Sequence, residues 1–298
     1  MEKTAYDGWP NCYRVSNGEV ELIVTTDVGP RVIRYGFVGG QNMFKEFEEQ
    51  LGKHGEPDWQ ARGGHRLWMG PEDRVLSYAP DNEPIQIEVQ GDAVTLTEKV
   101  EKLTGLRKQI VVKLATAGSG VEVTHRITNA GAKSRRLAPW ALTVMAQGGM
   151  EIVALPPRGT HPKDLPPTNP LVMWAYTDLS DDRWKFTQKY LLLRQDRSKP
   201  VPQKIGTFNH ETVGAYLLGS DLFIKRATSS DPLRQPDWGC SYETFTNDQF
   251  LEMETLGELT DLRPGATATH VERWSLHRNV RIPEWTDAAI DAALAPLR

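Results

Sequence analysis

An all-β fold is what this sequence predicts: one large antiparallel β-sandwich domain over residues 1–298, closed by a short helix around 286–297. The first observation behind this is period-two apolar alternation, which puts every second side chain on one face of a strand and recurs along the chain. The second is the turn chemistry between the alternating runs. The third is the near absence of helical spacing outside 43–51 and 286–297. Single all-β domains of roughly 200–250 residues are common, so the length demands no division into two.

Taken in order, Val20, Leu22 and Val24 alternate, and the pattern resumes over 32–37 after the Val28-Gly29-Pro30 turn, as in a hairpin or meander. Strands are expected next at 85–89, 93–97, 108–114 and 121–128, separated by Gln90-Gly91-Asp92 and Ala117-Gly118-Ser119-Gly120. Later strands are expected at 137–146, 189–194, 212–218, 222–227, 240–246, 250–255 and 269–276. Pro156, Pro157, Pro162, Pro166, Pro167 and Pro170 mark an irregular but ordered loop. It leads into Trp174-Ala175-Tyr176-Thr177-Asp178, a segment suited to rim a pocket, with an interdomain linker as the alternative.

Composition narrows the partners. The net charge is -4 with basic residues scattered, which leaves no stripe for a nucleic-acid backbone. Cys12 and Cys240 lack metal-ligand spacing and are expected as free thiols, one disulfide being the alternative. No apolar run approaches the ~20 residues of a membrane span, so no membrane partner is expected. The chain as written reads as cytoplasmic, or as periplasmic or secreted should the natural gene encode a signal peptide. Nine tryptophans supply flat rings suited to stacking on the C–H faces of sugars, although most serve a core.

The chemistry concentrates near the C-terminus. In Phe250-Leu251-Glu252-Met253-Glu254-Thr255, Glu252 and Glu254 share one face while Leu251 and Met253 share the other. The plain alternative is a half-exposed strand with solvated acids. Asp237-Trp238 precedes Glu243, a further carboxylate. His270 shares its face with Glu272 and Trp274, whereas His125, among Val121, Val123 and Ile127, reads as a core histidine. Upstream, Gly63-Gly64-His65-Arg66 combines a sharp turn with a titratable imidazole and a fixed cation. Asp81 and Asn82 suit sugar hydroxyls or a turn, Trp140 suits stacking or core, and Lys225 can neutralise the glutamates or hold an anionic group. No Walker sequence, nucleophile elbow or His-Glu-x-x-His helix is present. No cofactor and no metal are expected, a calcium ion held by carboxylates being the alternative.

Glu254-Thr255 at a strand end, followed by Leu262-Arg263-Pro264-Gly265 and a closing strand, resembles the C-terminal end of the aldose 1-epimerase (galactose mutarotase) superfamily. More specifically, the chain from Tyr13 to Leu276 is similar to a domain family of unknown function within it. The shared motifs are Gly63-Gly64-His65-Arg66-Leu67-Trp68, Ala138-Pro139-Trp140-Ala141-Leu142 and Glu252-Met253-Glu254-Thr255-Leu256-Gly257. The resemblance implies a galactose mutarotase-like supersandwich with Glu254 as catalytic base and Arg66 contacting the sugar. It also implies a histidine near 138–143 as general acid, and none lies between His125 and His161. His65 or His270 would have to stand in for it.

Two principal readings follow. In the first, Glu254 and a histidine interconvert sugar anomers, while Arg66, Asp81, Asn82, Trp140, Lys225, Glu243 and Glu252 hold the sugar. In the second, the protein binds a carbohydrate or oligosaccharide without turning it over. Cleavage by a carboxylate pair such as Glu243 and Glu254 is a third. Monomer and homodimer both fit.

Overall fold

A computed structural model describes residues 1–297, and in it the alternation resolves into two antiparallel sheets of 11 and 10 strands. The larger runs Glu2–Tyr6, Trp9–Ser16, Val20–Thr25, Arg31–Phe37, Gly64–Gly70, Arg135–Met145, Leu251–Leu256, Tyr242–Thr246, Gln203–Thr207 and Leu171–Met173, with Thr260–Leu262 also pairing to Arg135–Met145. The smaller runs Trp184–Phe186, Tyr190–Arg194, Met150–Ala154, Glu211–Leu218, Asp221–Thr228, Thr267–His277, Val121–Asn129, Leu106–Leu114, Ala93–Thr97 and Gln86–Gln90.

The inward faces meet in one large apolar cluster that includes Leu22, Leu67, Ile110, Val123, Leu251 and Met253. At its centre Tyr35, Phe44, Phe223 and Trp274 pack tilted or edge-on, with ring centroids 5.7–6.2 Å apart. Burial of each such side chain is worth about 1.5–3 kcal/mol, so this cluster supplies a large share of the attraction between the sheets. The outer face of the smaller sheet is closed by the C-terminal helix Asp287–Leu294, whose Ile290 packs with Ile152, Leu222 and Ile224. Thr286 caps that helix by accepting from the Ala289 amide. The expected helix around 286–297 is therefore a two-turn α-helix followed by the 3-10 turn Ala295–Leu297.

The segment 43–51 corrects an expectation. It forms no α-helix: the Met43 and Lys45 amides donate to Tyr35 and Val144, Phe44 bridges Met145, and Glu46 bridges Gly63. Only Glu48–Gln50 makes a 3-10 turn. Its apolar side chains serve the sandwich wall, and cross-strand hydrogen bonds replace the intrahelical ones.

The double glycine has a clear backbone reason. Arg62, Gly63 and Gly64 are three successive left-handed residues, at φ 53°, 78° and 69°. A Cβ on Gly63 would fall 1.8 Å from the Lys45 carbonyl oxygen, whereas one on Gly55, also at positive φ, would meet open space. Gly55→Ala should lower stability by about 1 kcal/mol through backbone strain alone. Gly63→Ala adds the clash and should cost at least ~2 kcal/mol more. Urea midpoints for the two variants check the order, and equal losses would contradict the steric account.

Candidate functional site

Strand parity builds the site. In Leu251–Leu256, Leu251 and Met253 enter the core, which turns Glu252 and Glu254 to the outer face of the larger sheet. Leu142 stands opposite both Arg66 and Glu254, and Trp140 opposite both Trp68 and Leu256. On the other flank Glu243 pairs with Glu254, and Phe245 with both Glu252 and Lys204. Of these outward side chains all but Glu243 and Leu256 line a cleft of about 460 Å³. Arg66, Trp68, Trp140, Lys204, Glu252 and Glu254 form its buried floor, while Tyr78 and Tyr176 stand half-open at its mouth.

One wall is aromatic. Trp59, Trp68, Tyr78 and Trp140 pack edge-on with centroid separations of 4.8–5.5 Å. The Arg66 guanidinium lies 4.6 Å over Trp68 and 5.3 Å over Trp59, and its Nη2 donates to Glu252 at 2.8 Å. The opposite wall centres on Lys204. Its Nζ lies 2.8 Å from Glu243 and 2.9 Å from Glu254, and 4.7 and 4.8 Å from the ring centroids of Trp140 and Trp174. Trp140 Nε1 donates to the same Glu254 oxygen at 2.9 Å, while Glu254 Oε1 has no hydrogen-bond partner among the described residues.

Burial sets the protonation of this group. It pushes the Glu254 carboxyl above its ordinary range, and Lys204 offsets only part of the shift. Glu243 is pushed up further, by burial and by the Glu254 and Asp237 charges. For Lys204 burial acts downward, but the two carboxylates outweigh it and keep the ammonium charged. The arrangement thus offers a fixed cation beside a carboxyl poised nearer neutrality than an exposed glutamate, with one oxygen free.

Of the sequence-predicted residues, Arg66, Trp140, Glu252 and Glu254 line the cleft, and Glu243 sits directly behind Lys204. Five others do not line it. Asp81 is clamped by Arg31 at 2.8 Å, and Asn82 accepts from Arg62 at 2.8 Å while donating to the Glu56 and Asp58 carbonyls. Both brace loops. His65, His270 and Lys225 point between the sheets, because each occupies the parity opposite to its outward neighbours. His65, adjacent to the outward Arg66, cannot share its face.

There these residues form a closed network. His125 Nδ1 lies 3.2 Å from the His270 carbonyl, His65 Nε2 lies 2.7 Å from His125 Nε2, and His65 Nδ1 lies 2.9 Å from Thr143 Oγ1. Lys225 contacts Glu272 at 2.8 Å and donates to the Ala141 and Met253 carbonyls. Trp274 donates to Glu272, and Thr255 bridges His270 and Glu272. His65, His125 and Glu272 bring ligand atoms within 4.8 Å of one another, close enough for a shared ion to be considered. Each of those atoms already has a protein partner, and Lys225 supplies the neutralising charge, so the set is complete without a cation.

Lys204 went unrecognised because Gln203–Thr207 is buried along its whole length and carries no polar–apolar alternation. Trp174 and Tyr176, expected at a pocket rim, do line the cleft. Both cysteines are free and buried. Among the described residues, no helix is long and apolar enough to cross a membrane.

No family model matches the chain, and no curated protein does. Solved structures do. A galactose mutarotase-like protein from Lactobacillus casei superposes with a TM-score of 0.60 at 11% identity, covering 90% of this chain and 100% of its own. The fold is the galactose mutarotase-like sandwich. A galactose mutarotase related enzyme from Lactobacillus acidophilus gives 0.56 at 9% identity, over 93% of this chain and 98% of its own. A galactose mutarotase-like protein from Clostridium acetobutylicum gives 0.53 at 10%, over 90% and 95%. At such identities the likeness concerns the fold, and the cleft must be read from its own side chains.

The buried imidazoles generate a pH prediction. Burial lowers His125 to about 4 and His270 to about 3, and holds His65 well below its ordinary value of 6.5. Their contribution is complete above about pH 6.5 and is lost as pH falls toward the folded-state values. Glu151, raised by burial to about 8, runs the other way, so variant and parent must be compared at each pH. His125→Asn should make the decline in unfolding free energy between pH 6.5 and 4.5 shallower, by up to ~1.4 kcal/mol per pH unit. Denaturant titrations across that range measure it, and parallel curves would show that His125 is not a site of proton uptake.

Proposed function

We propose that the cleft binds a carbohydrate, with one ring face against the indoles and the hydroxyls held by Arg66, Glu252, Glu254 and Lys204. The observation that carries this reading is the Trp140–Glu254–Lys204 cluster. An aromatic plane, a carboxyl with an unpartnered oxygen and a fixed ammonium converge there on one small volume. Sugars present just that combination of apolar C–H faces and directional hydroxyls. The same cluster disfavours a purely apolar ligand, which would leave the buried charges without exchange partners.

A second reading, anomer interconversion, is favoured by the raised Glu254 carboxyl. Glu254 as carboxylate would take the proton of the anomeric hydroxyl through Oε1, while Lys204, held charged, would stabilise negative charge developing on the sugar. No histidine lines the cleft among the described residues, so the proton for the ring oxygen would come from water.

Magnetisation-exchange and ligand-observed NMR on a panel of aldoses, uronic acids and sugar phosphates tests both readings. Saturation transfer to one sugar, weakened about tenfold or more in Arg66→Ala, is the expected result for binding. Faster exchange between α and β anomers, abolished in Glu254→Gln, is expected for turnover. Binding without acceleration would remove the second reading, and silence across the panel would remove the first.

A further inference from the structure

The 460 Å³ cleft does not end at its mouth. Its rim residues Glu72, Tyr78 and Trp174 also line a second basin of about 620 Å³, together with Arg74 and Asp237. Trp174 and Asp237 then line a third recess of about 260 Å³ with Val172, Met173 and Trp238. Trp174 lines all three, so the spaces adjoin one another around its indole, from the cleft over Glu254 outward. Each of the two larger basins is by itself of small-molecule size. Together they suit a ligand of more than one ring.

Trp238 is the residue that the fold does not explain. Trp238 is 88% exposed although it lines the third recess. Its backbone is also left-handed, at φ 62°, between Asp237 at 48° and Gly239 at 106°. A bulky residue in that conformation costs on the order of 1–3 kcal/mol, and the indole recovers little of it by burial. The turn is nevertheless fixed: the Gly239 and Cys240 amides both donate to the Pro236 carbonyl, at 3.0 and 2.9 Å. The fold therefore holds a flat apolar ring out to solvent in a recess that shares Trp174 with the aromatic cleft. Trp140 thus lines the cleft, Trp238 the third recess, and Trp174 both of these and the basin.

We infer that the ligand is a neutral oligosaccharide of at least two or three rings, running from the Glu254 floor past Trp174 to an outer stacking position on Trp238. This rests on the carbohydrate reading of the cleft and extends it to chain length and charge. Neutrality follows from the outer basin, where the carboxylates of Glu72 and Asp237 face a single guanidinium, that of Arg74. A polyanionic glycan would meet net repulsion there.

Calorimetric titration with glucose and with the β-1,4 and α-1,4 gluco-oligosaccharides of two to five units, plus galacto-, manno- and oligouronate series, tests the inference. In the series that binds, affinity should rise at least tenfold from one unit to three, and Trp238→Ala should remove most of that gain. Trp238 is too exposed for the variant to threaten folding. A single unit binding as tightly as the longer chains would overturn the inference while leaving the carbohydrate reading intact. So would an unchanged length dependence in Trp238→Ala, or tighter binding of oligouronates than of neutral chains. Sedimentation velocity supplies a further check: if Trp238→Ala shifts the oligomeric state and not the length dependence, Trp238 is a subunit contact and the inference fails. No binding at any length by any series would defeat the carbohydrate reading and this extension together.

Discussion

Strand parity is the constraint on which everything else here depends. Each strand of the larger sheet has two faces only, and the inter-sheet core claims one of them outright. Leu251, Met253 and Thr255 must face inward if Glu252 and Glu254 are to face outward. Across the ladder the same rule puts Thr143 inside and Leu142 outside, His65 inside and Arg66 outside. A shift of one residue in any of these pairings would exchange core for cleft along that whole strand, so the apolar packing and the site geometry are fixed by one and the same register.

The charges of the molecule are sorted by this rule into two compartments that share a sheet but not a surface. Outside, Lys204 lies between Glu243 and Glu254 and against two indoles. Inside, Lys225 neutralises Glu272 within a ring of imidazoles. Both are buried lysine–carboxylate groups, one enclosed between the sheets and the other at the floor of an open cleft, and they differ in a further respect. The inner set has its hydrogen bonds satisfied, whereas the outer set keeps a free oxygen on Glu254. That difference separates a structural polar network from a candidate site more clearly than burial or charge alone.

Much of the fold was legible in the sequence, because the long strands bordering polar turns show clean alternation, as in Val121–Asn129, which buries every second residue. Strands buried on both faces were not: Gly64–Gly70 and Gln203–Thr207 hide their period, and the three-residue edge strands are too short to show one. The site divides the same way. Glu252 and Glu254 could be assigned to one face because they lie in a single strand. His65 and Arg66 could not be assigned to the correct faces, since adjacency in sequence says they differ but not which one looks inward. Asp81 and Asn82 chose loop bracing because Arg31 and Arg62, distant in sequence, lie within reach of them.

The inter-sheet network also bears on how the groove can adapt. Interdigitated apolar layers already resist sliding, and hydrogen bonds between defined atoms add a directional constraint to that packing. Lys225 reaches from the smaller sheet to the Ala141 and Met253 carbonyls of the larger one, and Tyr242 reaches back to Glu151. Rungs of this kind resist shear between the layers, and Ala141 and Met253 are the immediate neighbours of the strand positions that carry Trp140 and Glu254. The floor of the groove is thereby a stiff template. Freedom to vary falls to the rim, to the loops that bear Tyr78, Trp174 and Trp238, which stand more open than the layers beneath.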